Sequence, residues 1–137
     1  MLKPLEPQQA LIYAMITVSA VDRSMSDAEL KRIGSIVRNL PVFEAYPEDW
    51  LASEAQECGR LLAKDGGMRH VLDLVTASLP EQLRETAYVL AAEVAASDRR
   101  IAAEEIRFLD LLAEALSIDK LTCAALERAA TARHQKA

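Results

Sequence analysis

One helical hairpin is written twice in this chain, and a duplicated hairpin constrains the fold more than any single motif does. Laying Asp22 on Asp98 brings Val18 onto Val94, Ala20 onto Ala96, Arg23 onto Arg99, Glu29 onto Glu105 and Leu40 onto Leu116, each pair identical. Apolar character is kept where Met25 meets Ile101, Leu30 meets Ile106, Ile33 meets Leu109 and Ile36 meets Leu112. Each copy reads as an apolar helix, a tight polar turn opening on Asp-Arg, and a second, amphipathic helix. The pattern predicts a pseudo-twofold repeat that matches helices one and two to helices five and six, with two equivalent acidic turns.

Composition narrows the rest. Only 4% of the 137 residues are aromatic, so a core must be built of Leu, Ala, Val and Ile. Four glycines and no alternating Val/Ile/Thr runs leave little material for a sheet. The expected fold is all-α, a compact seven-helix bundle forming one domain over residues 1–137. The formal net charge of −5 argues against a nucleic-acid binder, whose footprint would be a basic stripe, and disfavours anionic membrane surfaces. Arg99, Arg100, Arg128 and Arg133 are balanced by nearby glutamates, which reads as a solvated mixed surface.

Cys58 and Cys123 share no metal or redox spacing and are expected as small reduced thiols lining helices, in a cytoplasmic protein. The apolar run over residues 11–21 raises the question of a signal peptide. Its flank is wrong, since Glu6 offsets Lys3 and Pro4 and Pro7 precede the run, and cleavage there would delete the partner of the fifth helix. It is also too short to span a bilayer, so it reads as a core helix and no integral membrane segment is expected.

Helix signals divide the chain further. Pro7 suits the first turn of helix one. Ser26 and Glu29 form a capping box, the hydroxyl accepting from the Glu29 amide and the carboxylate accepting from the Ser26 amide. Helix two buries Leu30, Ile33, Ile36, Val37 and Leu40 and stops before Pro41. Pro47 opens helix three, whose inward face is Trp50, Leu51, Ala55, Cys58, Leu61 and Leu62. Gly66 and Gly67 end it through a left-handed cap. Ser78 and Glu81 form a second capping box ahead of helix five, which is rich in Leu, Ala and Val and expected to be the most buried. Ser117 caps helix seven, and the chain frays from His134.

The paired turns are the candidate functional feature. Asp22 and Glu29 in one copy, and Asp98 and Glu105 in the other, place two carboxylates at a turn that also exposes helix N-terminal amides. A hard cation, Ca²⁺ or Mg²⁺, wants six or more oxygens, with water supplying some and Asp27 and Glu104 adding others if the turns meet. Capping accounts for the same residues without a metal: Glu29 by its box, Glu105 by the helix dipole, and Asp22 and Asp98 by Asx turns. Against that reading, Ala102 has replaced the capping serine while Glu105 stays.

At this junction the chain resembles the TerB-like (tellurite-resistance) domain family, in which a small residue, Asp-Gly, a branched aliphatic residue and then Glu open the second helix. The residues that carry the resemblance are Ser97, Asp98, Arg99, Arg100 and Ile101 with Glu104 and Glu105, and their counterparts Val21, Asp22, Arg23, Ser24 and Met25 with Glu29. Related acidic helical modules stand at the N-terminus of DjlA-type membrane co-chaperones. The resemblance implies a seven-helix fold, a cytoplasmic setting, an acidic surface open to divalent cations and a link to tellurite or other stress. Arg23 and Arg99 depart from it by standing where the family prefers glycine. An arginine disfavours positive φ and sets a cation beside the carboxylates, which weighs against metal binding more than against the fold.

No enzymatic pattern competes. His70 and His134 lack a nucleophile in a recognisable context, there is no Glu-x-x-His motif, Asp65-Gly66-Gly67 lacks the ending of a phosphate loop, and Glu54 and Glu57 read as a solvated face. The expected function is a non-enzymatic TerB-like stress-response module that binds a protein partner under modulation by a divalent cation. The alternative is a metal- or small-ligand-binding protein that uses the acidic turns; a hydrolase with grouped carboxylates ranks third.

Overall fold

In the computed structural model, which describes residues 5–21, 25–97 and 101–137, every residue from 10 to 19 is buried. Such a helix has no face to give to water and must lie at the centre of the molecule. It is α1 (Pro7–Ala20), with Pro7 at its first position and the Glu6 amide donating to Gln9 Oε1 at 2.9 Å. The others are α2 (Asp27–Asn39), α3 (Leu51–Leu62), α4 (Gly67–Ser78), α5 (Arg84–Ala96), α6 (Ala103–Ala115) and α7 (Lys120–Arg133). Short 3₁₀ turns precede α3 and α5 and follow α2, and there is no strand among the described residues. The fold is all-α with seven α-helices in that described part.

Two helices make the middle. α1 packs most extensively on α5, and each then gathers its own neighbours: α3 and α4 on α1, α7 on α5. The bounds of α2 fall on those of α6 when Asp22 is laid on Asp98, and the packing partners exchange in the same sense. α1 lies on α3 as α5 lies on α7, and α1 touches α6 as α5 touches α2. α4, packed on α1, α3 and α6, has no counterpart. The core is continuous through both halves, with Leu11, Ile12, Met15, Ile16, Tyr88, Phe108 and Leu112 among its fully buried side chains.

Several sequence expectations need correction. α1, not α5, is the most continuously buried helix, because α5 turns Arg84, Glu85 and Val89 toward the periphery while α1 is covered on all sides. Ser78 does not cap α5. It is the last residue of α4, its hydroxyl donates to the Leu74 carbonyl at 2.6 Å and accepts from the Leu5 amide at 2.9 Å, and a 3₁₀ turn, Glu81–Leu83, intervenes before α5. Ser117 takes the left-handed position after α6 (φ 58°), and Asp119 caps α7 instead, its Oδ1 accepting from the Thr122 amide at 2.9 Å. Trp50 is 57% exposed, because the 3₁₀ turn Glu48–Trp50 rotates it off the buried stripe of α3 and onto the edge of Tyr46.

The α3–α4 corner rests on two glycines with different tasks. Gly66 sits at φ 69°, where a side chain is strained. Gly67 lets the start of α4 approach the end of α3, since a Cβ there would stand 2.2 Å from the Leu61 carbonyl oxygen. Gly59 is in mid-helix, and a Cβ there would meet nothing within 4 Å. In urea titrations Gly67→Ala should therefore cost most, about 3 kcal/mol, and Gly66→Ala about 1 kcal/mol. Gly59→Ala should raise stability by about 0.5–1 kcal/mol. A Gly67→Ala midpoint equal to that of the parent would contradict the packing at this corner.

Candidate functional site at the paired turns

Each turn joins a central helix to a peripheral one. α1 ends at Ala20, and α2 begins after Ser26; α5 ends at Ala96, and α6 begins after Ala102. Asp22, Arg23 and Ser24, and likewise Asp98, Arg99 and Arg100, lie outside the described residues, so two of the four candidate cation ligands carry no geometry here.

The other two do the same job in both halves. Glu29 is 5% exposed, and its Oε1 accepts from the Ser26 amide at 3.0 Å and from the Ser26 hydroxyl at 2.9 Å. Glu105 is 6% exposed, and its Oε1 accepts from the Ala102 amide at 2.8 Å. The expected capping box at Ser26 is complete, with the Glu29 amide donating to Ser26 Oγ at 3.2 Å. At the start of α6 the alanine offers no side-chain acceptor, and the Glu105 amide bonds the Ala102 carbonyl at 3.0 Å instead. A buried carboxylate thus holds this helix start without a serine, by its own acceptor.

The hairpins also meet. Arg32, one turn beyond Glu29 on α2, donates to Ser97 Oγ at 3.0 Å, and that hydroxyl donates in turn to the Val94 carbonyl at 2.6 Å. The end of α5, immediately before Asp98, is thereby tied to the first turns of α2. Glu29 and Glu105 alone cannot fill the six to eight oxygen positions of Ca²⁺. Among the described residues no three His, Cys, Asp or Glu side chains converge as a ligand set, so a cation at this place depends on Asp22 and Asp98.

An apolar groove lies beside each turn. The first, about 690 Å³, is walled by Ile16, Ala20, Met25 and Leu30 on one side and by α3 on the other. The second, about 170 Å³, uses the corresponding positions Ala92, Ala96, Ile101 and Ile106, with α7 opposite. Across the second groove the Tyr88 hydroxyl of α5 donates to Glu127 of α7 at 2.5 Å.

Charged groups that sequence reasoning treated as surface are buried instead. Glu54 is 8% exposed and accepts from Gln9 Nε2 and from the Tyr46 hydroxyl, both at 2.7 Å; only Glu57 behaves as a solvated residue, paired with Arg60. The missed signal is spacing, because Glu54 stands on the stripe that carries Leu51, Cys58 and Leu61. Glu93, likewise buried, is paired with Arg133, and His134 lies 3.7 Å from it. His70 is on α4, away from that pair.

Burial raises the pKa of several protonated groups. The Cys58 thiol is pushed up to about 12 by burial, against a lesser opposing effect of the Thr17 hydroxyl. Tyr13 is raised to about 12, again chiefly by burial. Tyr46 and Tyr88 are raised by burial and then by their bonds to Glu54 and Glu127. Cys123, on α7, is free like Cys58.

The family model described as tellurite resistance protein TerB matches residues 8–128. No curated protein and no solved structure gives a significant match.

Because their pKa values are raised in the fold, these groups stabilise it fully below their ordinary values and cease to do so as pH climbs through the raised ones. Thermal midpoints should therefore hold up to about pH 9, the ordinary thiol value, and fall between there and about 12. Cys58 should react with a disulfide reagent only as the chain unfolds. Rapid labelling of native Cys58 would contradict the burial of this helix face.

Proposed function

The chain belongs to the tellurite resistance TerB family, and on that ground we propose that it is a non-enzymatic, cytoplasmic stress-response module that works by binding a protein partner. The observation that carries the reading is the family match over residues 8–128, which contains both acidic turns whole. In this reading the turns are the responsive element and the two hairpins are copies of one unit. Glu29 and Glu105 hold the starts of α2 and α6, and Arg32 couples one hairpin to the end of the other's central helix. A movement at either turn is thus transmitted to a peripheral helix through a buried carboxylate. Among the described residues no helix is long and apolar enough to cross a membrane.

A divalent cation modulates the module in this proposal, held by Asp22, Glu29, Asp98 and Glu105, where it would supply positive charge between carboxylates. Arg23 and Arg99 compete for the same oxygens, so the native chain binds such a cation weakly.

Disrupting the gene in its own host should lower the tellurite concentration at which growth stops, and resupplying the chain should restore it. Unchanged tolerance would overturn the stress-response reading. In calorimetric titrations the double variant Arg23→Gly with Arg99→Gly should gain Ca²⁺ or Mg²⁺ affinity over the parent, and Asp98→Asn added to it should lose most of that gain. Tight binding by the parent would make the ligand itself the function, whereas no gain in the variant would remove the cation from the proposal.

A further inference from the structure

The exposed isoleucines of the second hairpin share one face with acidic side chains at one end and Lys136 at the other, and we propose that this face pairs with the same face of a second copy of the chain. Ile101 and Ile106 are 37% and 50% exposed, two of the four large hydrophobic residues that are exposed among the described residues. Both line the groove between α6 and α7, whose charged lining residues there are Asp110 and Glu127. Past Ala96 and Ile101 the depression continues to His134 and Lys136. The face thus runs from carboxylates, through an apolar middle, to a lysine and a histidine.

That arrangement selects its occupant. A twofold axis through the isoleucines turns the second copy end for end, so the acidic end of each copy meets the basic end of the other. A parallel arrangement of the same two faces would oppose like charges, which is how electrostatics rejects a wrong register. An apolar centre ringed by polar groups is also the ordinary anatomy of an interface. The acidic end is fixed in place beforehand, Glu127 by the Tyr88 hydroxyl, and α7 is held to its last turn by the pairing of Arg133 with buried Glu93. The inference is independent of the cation reading above, since it uses none of the carboxylates Asp22, Glu29, Asp98 and Glu105.

Size-exclusion chromatography with light scattering, from micromolar to near-millimolar chain, should show the mass rising from 15.1 kDa toward twice that value. Ile106→Asp should stay monomeric with an unchanged helical spectrum and melting midpoint, because the side chain is half exposed. Leu121→Asp, 84% exposed at the opposite end of α7, should dimerise like the parent. Asp110→Lys or Lys136→Glu alone should weaken the dimer about tenfold, and the two together should restore it. A parent that remains monomeric throughout would leave this face to some other protein and overturn the proposal. So would an Ile106→Asp variant that still dimerises, or a double charge reversal that binds no better than either single one.

Discussion

Everything in this fold depends on the packing of α1 against α5. α1 is buried without interruption from residue 10 to residue 19, and α5 is buried over most of its length, with only Arg84, Glu85, Thr86, Val89 and Ala96 less covered. Small residues make the pairing possible: Ala10 and Ala14 on α1 and Ala87, Ala91, Ala92 and Ala95 on α5 are all buried. With so few aromatic residues in the chain, the core gains its density from many small and branched side chains, interrupted by Tyr88 and Phe108. The remaining helices are amphipathic covers that complete this central pair.

The carboxylates are the second organising element. Four glutamates are buried, and a buried charge persists only where donors meet it. Glu29 and Glu105 receive N-cap amides, Glu54 receives an amide side chain and a phenol, and Glu93 receives Arg133. Each such contact joins a covering element to its neighbour or fixes where a helix begins. Glu54 ties α3 and the loop before it to the start of α1, while Glu93 secures the end of α7. These are registration devices more than sources of net stability, because desolvation offsets much of their attraction.

The two halves also differ where it matters for surfaces. α4 covers α1 and has no equivalent over α5. Where the first half buries Thr17 against Cys58, the corresponding position in the second half is Glu93, bound to Arg133. The first groove is large, about 690 Å³, and the second small, about 170 Å³. Ile106 is half exposed, whereas Leu30 is partly covered. The surfaces beside the two turns therefore differ.

The sequence by itself determined what depends on local chemistry. Helical composition, the Pro7 start, the Ser26 capping box, the left-handed Gly66 and the turn positions all follow from residues a few places apart, and the TerB resemblance follows from the same turns. Buried Ile33 and Cys58 were legible from apolar spacing. What only the tertiary structure decided involves partners distant in the chain. Ser78 reads as a cap until the Leu5 amide claims its hydroxyl, and Trp50 reads as core until a 3₁₀ turn rotates it outward. Glu54 reads as surface until Gln9 and Tyr46 enclose it, and Arg32 gives no sign that it reaches Ser97. The reason is physical: a local pattern fixes which face of a helix is apolar, but whether a polar group on that face is buried depends on a donor or acceptor that the fold brings from elsewhere.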